Sequence, residues 1–300
     1  MASKSLKNFD IKTSTMYKIG GQIKEVFYPE TLDEFVEILK NNPNIKVFGN
    51  LSNTLVSTFG SEESIVVTTN MKDIKIEGTK VVALCGVKGP KLAQEVAKQG
   101  LSGFEFMIGF PGSIGGEVYM NASAHNQAIS DKLVTVTCFS PKFGVKKFTK
   151  EEMGFDYRTS RCAKDNLVVL QAEFELEKKS VDEVEEQMKK NLVFRKLKQP
   201  LLNEPNCGSV FKNPVGDSAG RLLESIGAKQ MSIGGVKVWE NHANFIVNTN
   251  NGTSLHVLEL MYKMQTKVKE VYNIELEPEI RFLGGKNQRE NELCKILYKK

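Results

Sequence analysis

The chain has 300 residues, of which 40% are hydrophobic and 26% charged, so it is long enough for one large or several smaller globular domains and too apolar for a disordered polymer. Its 41 Lys and Arg against 36 Asp and Glu give a net charge of +5. The basic residues are scattered in doublets, without the stripe expected of a nucleic-acid-binding protein. No segment approaches the roughly 18 apolar residues needed to cross a bilayer.

The cysteines and histidines favour neither disulfides nor a metal site. The five cysteines are an odd number, are widely spaced and include no C-x-x-C pair. The three histidines form no H-E-x-x-H pair. The N-terminal region has no apolar segment of the kind found in signal peptides. The sequence therefore predicts a soluble, reduced, cytoplasmic protein without a metal.

Helix and strand patterns alternate over the first 195 residues. Thr31 and Glu34 form a capping box ahead of an amphipathic helix, and Pro90 begins a second helix that ends at Gly100. Short β-rich segments are predicted at residues 46–48, 65–69, 80–84, 133–139 and 167–176. A second capping box, formed by Ser180 and Glu183, opens a helix that runs to about residue 198.

The pattern restarts after the proline-containing loop that ends near Pro205. Asp217 is predicted to cap a short helix, followed by a strand at 244–247, a long helix at 253–272 and a last strand at 275–282. The fold class is therefore α+β, with an N-terminal domain at residues 1–195 (lobes at about 1–72 and 73–195) and a C-terminal domain at 196–300.

The most informative segment runs from Ile108 to Gly116, where four glycines occur in eight positions. Glycine allows close approach of the backbone to a ligand, and consecutive amides in such a loop form an anion-binding concavity that suits a diphosphate. The pattern is neither a P-loop nor the Rossmann fingerprint. The alternative interpretation is a tightly packed loop without a ligand.

A second segment, from Gly49 to Leu55, directly follows a predicted strand and contains small and hydroxyl-bearing residues. Such side chains can donate hydrogen bonds to phosphate oxygens. Two segments of this kind in one domain suggest a dinucleotide that is bound at both ends of its diphosphate.

Several spaced motifs occur together, in an order that we associate with one family. They are G-x-x-S-N-x-L at 49–55, G-x-P-G-S-x-G-G at 109–116 with M-N-A at 120–122, Y-R-T-S at 157–160, G-S-V-F-K-N-P at 208–214 and L-E-P-E-I-R at 276–281. The chain resembles the UDP-N-acetylenolpyruvoylglucosamine reductase (MurB) family over roughly residues 17 to 284. The short connection after Tyr157 resembles the second type of the family, which lacks an additional tyrosine-bearing loop.

The resemblance implies an FAD-binding unit of the vanillyl-alcohol-oxidase/PCMH type followed by an α+β substrate-binding domain. It also implies FAD as the cofactor and NADPH as the co-substrate. The implied reaction reduces UDP-N-acetylglucosamine enolpyruvate to UDP-N-acetylmuramate for peptidoglycan. A monomer is expected, with neither a nucleic acid nor a membrane as a partner.

The resemblance also assigns residues to roles. Ser209 matches the proton donor, Arg158 would stabilise the developing enolate or the substrate carboxylate, and Glu279 would orient a proton relay or tune the charge of the intermediate. The FAD-binding candidates are Gly49, Asn50, Ser52, Asn53, Thr54, Gly109, Pro111, Gly112, Ser113, Gly115, Gly116 and Asn121. The substrate-binding candidates are Tyr157, Lys198, Lys212 and Asn244. Four positions depart from the family pattern: Leu51, Glu117, Ser123 and His125.

Alternatives remain at two levels. Strand periodicity places Glu275, Glu277 and Glu279 on one face, which by itself is typical of a solvated surface; Glu277 is the alternative to Glu279. At the level of function, a flavin oxidase of the same fold acting on an alcohol or lactone, and a non-catalytic protein that binds flavin or a UDP-sugar, are the rival hypotheses.

Overall fold

The computed structural model describes residues 4–201 and 203–299. The strands are β1 (Ser5–Asp10), β2 (Gln22–Phe27), β3 (Lys46–Phe48), β4 (Thr54–Val56), β5 (Ser61–Val67), β6 (Ile74–Glu77), β7 (Lys80–Leu84), β8 (Leu101–Ser102), β9 (Ser123–Ala124), β10 (Gln127–Ala128), β11 (Leu133–Ser140), β12 (Gly144–Thr149), β13 (Val168–Glu175), β14 (Glu177–Lys178), β15 (Ser232–Ile233), β16 (Val236–Val238), β17 (Ile246–Asn248) and β18 (Arg281–Leu283). The α-helices are α1 (Leu32–Asn41), α2 (Gly89–Ala97), α3 (Ile114–Met120), α4 (Arg161–Asp165), α5 (Val181–Lys198), α6 (Ala219–Ser225), α7 (Ser254–Tyr272) and α8 (Gln288–Tyr298). Both element types occur in both halves of the chain, as the α+β prediction requires.

The chain divides into two compact units. Within the described residues, the first unit consists of residues up to 5 together with 26–50 and 65–195, and the second of residues 6–25, 51–64 and those from 196 onward. The predicted boundary at 195/196 is also a boundary between these units. Residues 6–25 and 51–64, which the sequence analysis assigned to the N-terminal domain, instead cluster with the C-terminal part. β4 pairs with β18 near the C-terminus, and Tyr17 and Ile19 pack into the hydrophobic core formed mainly by the C-terminal part. Sequence patterns do not reveal such long-range contacts.

An antiparallel sheet forms the centre of the first unit. Its strands lie in the order β12-β11-β13-β7-β6, and α3 packs against β13 and β7. β11 and β13 alternate buried and more exposed residues, so one face of the sheet is covered by helices. The core includes Phe104 and Phe174, whose rings meet edge to face at a centroid distance of 4.9 Å.

The second unit contains a small antiparallel sheet, β15-β16-β17, and a parallel pair, β4 and β18. In this pair Arg281 lies opposite Thr54 and Leu283 opposite Val56. The buried faces of α6, α7 and α8 contribute to one hydrophobic core, which also contains Tyr17 and Leu55. The two short segments from the first quarter of the chain are therefore part of this core.

Local sequence explains where several elements begin and end. Thr31 caps α1 by accepting a hydrogen bond from the Glu34 amide at 3.2 Å, as predicted. The cap of α6 is Ser218 and not Asp217, because the Asp217 carboxylate is bound to the guanidinium of Arg221. The last strand is shorter than predicted: β18 begins at Arg281, and Pro278 before it forms only an isolated antiparallel bridge with Phe211.

Neither a membrane span nor a metal centre is found in the described part of the chain. Among the helices within residues 4–201 and 203–299, none has the length and apolar content of a bilayer span. Over the same residues, no group of three or more His, Cys, Asp and Glu side chains is arranged to hold a metal ion. All five cysteines are free thiols.

Candidate active site

The two segments predicted to hold a diphosphate lie against each other. The Asn50 Nδ2 donates to the Pro111 carbonyl at 2.7 Å, which ties the first segment to the second. A Cβ on Gly49 would come within 2.0 Å of the Ser113 Oγ, so a larger residue here would force the Ser113 side chain to move. The structure therefore brings together Gly49, Asn50, Pro111 and Ser113, four of the predicted cofactor-binding residues.

Backbone hydrogen bonds fix the glycine-rich segment to the chain at residues 85–87. The amides of Ile114 and Gly115 donate to the carbonyls of Val87 and Cys85, both at 2.8 Å. A Cβ on Gly115 would lie 2.8 Å from the Cys85 Cβ, so this glycine serves close packing. Gly109 is similarly crowded by the Arg195 side chain, whereas a Cβ on Gly116 would meet only the Ser113 Oγ, at 3.9 Å. The open side of the segment is therefore at Gly116.

Three polar side chains line one side of α3. Ser113, Glu117 and Asn121 are spaced four residues apart, so they follow one another along the helix. The Ser113 Oγ, both Glu117 carboxyl oxygens and the Asn121 Oδ1 are buried and have no hydrogen-bond partner among the described residues. Buried polar atoms without partners are rare in proteins. They mark this side of the helix as the place where a ligand, a water molecule or a proton completes the bonding.

Glu117 differs from the other two because its group can ionise. Only 4% of the residue is exposed, and burial raises the pKa of its carboxyl group to about 8. The carboxyl lies close to Gly89 and Gly112, where a Cβ would come within 2.5 and 2.9 Å of its Oε1. The side chain therefore carries a proton at neutral pH and adds no negative charge beneath the segment predicted to bind a diphosphate.

Arg158 lies in a tight loop that is tied to the end of α3. Its backbone is left-handed, with φ of 54°, and its Nη1 donates to the Ser123 Oγ at 2.8 Å. The guanidinium lies 5.3 Å from the centre of the Tyr157 ring. The Asn121 Nδ2 donates to the Asp156 carbonyl at 3.1 Å, and the Ser160 Oγ to the Tyr119 carbonyl at 2.8 Å. Arg158 and Tyr157 are thus held beside the predicted flavin segment of the same unit.

The segment that carries Ser209 is clamped by Asn244. The Asn244 carboxamide accepts from the Phe211 amide at 3.0 Å and donates to the Phe211 carbonyl at 2.8 Å, while its own carbonyl accepts from the Val210 amide at 2.9 Å. Asn244 is only 3% exposed. The sequence analysis predicted that Asn244 binds substrate, but both ends of its side chain are used within the protein. Ser209 itself is half-buried.

Glu279 lies on the chain segment next to Ser209. The Glu279 amide donates to the Val210 carbonyl at 2.8 Å, and its carbonyl accepts from the Asn53 Nδ2 at 3.0 Å. Glu279 is half-buried, whereas Glu277 is exposed. The Glu277 carboxylate binds the Lys212 Nζ at 2.5 Å. The greater burial of Glu279 favours it over the alternative, Glu277.

The remaining predicted residues are more scattered. Lys198 is exposed at the end of α5, and the Tyr157 side chain is also exposed. Thr54 is the first residue of β4 and is buried, while Ser52 is half-buried. Leu51 is buried and has a left-handed backbone with φ of 51°, a conformation that strains residues other than glycine.

Family comparisons match both parts of the chain. Residues 23–142 match the model of an FAD binding domain, and residues 199–283 match the C-terminal domain of UDP-N-acetylenolpyruvoylglucosamine reductase. A UDP-N-acetylenolpyruvoylglucosamine reductase from Caldicellulosiruptor saccharolyticus is 37% identical over 285 residues, which cover 93% of this chain and 92% of the relative. The chain belongs to the UDP-N-acetylenolpyruvoylglucosamine reductase family.

Further relatives of the reductase family agree with this assignment. The enzyme of that name from Enterococcus faecalis is 37% identical over 278 residues, which cover 91% of this chain and 92% of the relative. The crystal structure of the reductase from Thermus caldophilus superposes with a TM-score of 0.80 at 30% identity and covers 94% of this chain and 99% of that one. The predicted resemblance and the predicted fold class, an FAD-binding unit followed by a C-terminal substrate-binding domain, are confirmed.

The residues present fit an FAD molecule. The orphaned Ser113 hydroxyl lies where two glycine-containing segments meet, and the open side of Gly116 faces it. A hydroxyl and a narrow glycine cradle are what a flavin diphosphate requires. The candidates at this cradle are Gly49, Ser113 and Gly116.

The sequence analysis did not assign a functional role to two residues of the site, Ser123 and Glu117. Ser123 and Glu117 were noted only as departures from the family pattern, yet Ser123 binds the Arg158 guanidinium and Glu117 forms the buried acid on α3. The spacing of Ser113, Glu117 and Asn121 was the available signal, since a helix places every fourth residue on one side. The role of Ser123 depends on a contact with a residue 35 positions away and had no local signal.

Proposed function

We propose that the protein is an FAD-dependent reductase that converts UDP-N-acetylglucosamine enolpyruvate to UDP-N-acetylmuramate with NADPH, in the synthesis of peptidoglycan precursors. The observation that carries this proposal is the 37% identity to reductases of that name over more than nine-tenths of the chain. Both family domains are matched, so the similarity extends beyond the flavin-binding part.

The reaction adds a hydride to C3 and a proton to C2 of the enolpyruvyl group. FAD, when bound, would supply the hydride-transfer chemistry between NADPH and the substrate. Ser209 donates the proton to C2, because the intermediate that forms after hydride addition is basic enough to take a proton from a hydroxyl group. Arg158 stabilises the negative charge that develops on the carboxylate side of the substrate.

Glu279 orients the proton relay to the Ser209 hydroxyl. In support, the main chain of Glu279 is bonded to Val210, the neighbour of Ser209, and the residue is half-buried. A group held by its backbone on a neighbouring segment keeps a constant distance from the reacting hydroxyl. Glu277 is also bonded through its main chain, to the Lys212 amide, but its side chain is 69% exposed and bound to the Lys212 ammonium group.

Cofactor and substrate use different sets of residues. Gly49, Asn50, Ser52, Ser113 and Gly116 would hold the FAD diphosphate, with the other glycines of the 109–116 segment shaping the loop. Lys212 and Lys198 provide positive charge for the substrate diphosphate, and Tyr157 packs against substrate or flavin. Asn244 supports this site from behind instead of touching substrate.

We also propose that the protein is cytoplasmic and monomeric. The free thiols of all five cysteines are compatible with a reducing compartment. Size-exclusion chromatography with light scattering checks the oligomeric state.

The decisive experiment is a visible spectrum of the purified protein under anaerobic conditions, followed by NADPH and then UDP-N-acetylglucosamine enolpyruvate. Flavin bands that bleach with NADPH and return with the enolpyruvyl sugar are the expected result. Bands that return only with oxygen support a flavin oxidase instead. Bands that never bleach indicate a different reductant or a binding protein, and a protein that takes up no FAD contradicts the proposal.

The Ser209→Ala variant tests the assigned proton donor. It is expected to retain flavin reduction by NADPH and to lose most of the reoxidation by the enolpyruvyl substrate, since only the second half-reaction needs the proton. If both half-reactions keep the wild-type rate, Ser209 is not the donor.

A further inference from the structure

We infer that Asn53 is a positioning residue for Glu279, so that the segment expected to bind the flavin diphosphate also sets the position of the acid. The inference rests on the proposed function, because it concerns how Glu279 does its work. Sequence analysis placed Asn53 among the flavin ligands. The structure instead directs its carboxamide nitrogen to the Glu279 carbonyl, at 3.0 Å.

Asn53 binds the acid-bearing segment at two points. Its side chain donates to the carbonyl of Glu279, and its own carbonyl accepts from the Arg281 amide at 3.0 Å. These two bonds flank Ile280, which is fully buried. The parallel pairing of β4 and β18 begins at the next residue, where Thr54 lies opposite Arg281. The side-chain bond therefore extends the contact between the two strands by one residue before Thr54 and by two residues before Arg281, up to Glu279 itself.

Glu279 is consequently held on both sides of its main chain. Its amide donates to Val210 and its carbonyl accepts from Asn53. With the backbone fixed, the carboxyl group moves only by rotation of its own side-chain bonds. Loss of the Asn53 bond leaves the Glu279 carbonyl without this partner and frees the segment to shift. A displacement of about 1 Å at a catalytic group typically costs up to a hundredfold in rate.

The same peptide segment couples this contact to the cofactor. Ser52 precedes Asn53 directly, and both follow the strained, buried Leu51, whose side chain fixes the local path of the chain. A ligand that orders Ser52 therefore also orders Asn53. Binding of the flavin diphosphate and the position of the Glu279 carboxyl then depend on each other.

Asn248 provides a matched control. Its Nδ2 donates to the Tyr17 carbonyl at 3.0 Å, a long-range amide-to-carbonyl bond in the same unit with the same length. Both asparagines are half-buried. The Asn248 Oδ1 also accepts from the Gly252 amide at 2.8 Å. Neither bond leads to Ser209 or Glu279, so the Asn248→Ala variant reports the loss of side-chain-to-backbone bonding of at least this size away from the acid.

The experiment compares Asn53→Ala, Asn248→Ala, Glu279→Gln and the Asn53→Ala/Glu279→Gln double variant as FAD-loaded enzymes in anaerobic stopped flow. Asn53→Ala is expected to slow reoxidation by UDP-N-acetylglucosamine enolpyruvate about ten- to hundredfold more than it slows reduction by NADPH. It is also expected to shift the pH profile of reoxidation and weaken FAD binding, measured by flavin fluorescence. In the Glu279→Gln background it should add less than about twofold, because the two residues act as a unit.

The other possible results distinguish a failure of this inference from a failure of the proposed function. Multiplicative effects of Asn53→Ala and Glu279→Gln, or an equal loss in Asn248→Ala, overturn the inference and leave the proposed function intact. A wild-type enzyme that is not reoxidised by the enolpyruvyl sugar, or a Glu279→Gln variant with the wild-type rate, refutes the proposed function or the role of Glu279 instead. If Asn53→Ala does not retain FAD, Asn53→Ser, which keeps a shorter donor, is used, with an intermediate rate expected.

Discussion

The Nζ of Lys212 lies 2.5 Å from the Oε1 of Glu277, and the two residues are also joined by a bond between the Lys212 amide and the Glu277 carbonyl at 2.9 Å. The lysine assigned to the substrate diphosphate is therefore paired with a carboxylate. The Glu277 side chain is 69% exposed, so this ion pair adds at most about 1 kcal/mol to stability. Its main effect is to compete with a phosphate for the ammonium group.

Replacing Glu277 by glutamine is expected to lower the KM for UDP-N-acetylglucosamine enolpyruvate about two- to fivefold, with kcat nearly unchanged, because the competing carboxylate is removed. Steady-state kinetics at low ionic strength make the measurement. Glu275→Gln is the control: it removes the same charge from the same segment, but Glu275 pairs with Lys299. An equal change in both variants would mean that Lys212 has no specific role.

Glu117 predicts an unusual dependence of stability on pH. Burial raises its pKa to about 8 in the folded protein, against 4.5 for an unperturbed glutamate. The stabilising protonated state is fully present below pH 4.5 and is lost as the pH rises through 8, so this group lowers the free energy of unfolding by about 3 kcal/mol between pH 4.5 and 7. Urea unfolding of the FAD-loaded protein at several pH values measures the effect.

The Glu117→Gln variant keeps the shape of the side chain and cannot ionise. Its advantage in stability over the wild type is expected to grow from pH 5 to pH 8. Glu105→Gln serves as the comparison, because the buried Glu105 carboxylate accepts bonds from the Ser102 hydroxyl and the Gly103 amide. Parallel curves for Glu117→Gln and the wild type would show that Glu117 has a partner that compensates its burial.

At Leu51 we expect the glycine variant to be more stable than the alanine variant, which is the reverse of the usual order. Either substitution removes a buried leucine side chain, at a cost of about 2 to 5 kcal/mol. The left-handed backbone at Leu51 is strained for alanine and free for glycine, so Leu51→Gly should be more stable than Leu51→Ala by about 1 kcal/mol. At Leu55, in regular β4, alanine should be the more stable of the two. Thermal or chemical unfolding of the four variants gives the comparison.

Ser123 predicts a loss of activity without a large loss of stability. Its hydroxyl accepts from the Arg158 guanidinium at 2.8 Å, so Ser123→Ala leaves that charged group less well fixed. We expect kcat/KM to fall about three- to tenfold. The same substitution in an Arg158→Ala background should have almost no effect on kcat/KM. A full effect in that background would mean that Ser123 acts independently of Arg158.

Sequence patterns predicted the local features of the fold well and the long-range ones poorly. The capping box at Thr31 depends on a neighbour three residues away, which a pattern can reveal. The crowding of Gly109 by Arg195 and of Gly115 by Cys85 involves residues far away in sequence, which a pattern does not show. The last strand was drawn too long, because alternation continues through Pro278 although the ladder does not. α8 was not predicted at all.

In the site, too, sequence patterns predicted the local features but not the long-range contacts. The motifs located the segments of Ser209, Glu279 and Arg158, but not what each asparagine binds. The side chains of Asn53 and Asn244 donate to the backbone carbonyls of Glu279 and Phe211, which are far away in sequence. Nothing in the neighbouring sequence indicates these bonds. A polar residue in a motif can serve the ligand or the chain that holds the ligand, and only the tertiary contacts distinguish the two.

The composition of the second unit from three separate pieces of chain has a consequence for synthesis on the ribosome. Asn53 and Glu279 are 226 residues apart in sequence, so at about 5 to 20 residues per second the early strand waits about 10 to 45 s for its partner. All residues of the first unit precede residue 196, so its chain is complete earlier. During this interval β4 and the apolar residues Tyr17 and Leu55 lack the core that later covers them. The nascent chain is therefore most prone to aggregate in its first sixty residues, at the time when its last hundred are still being made.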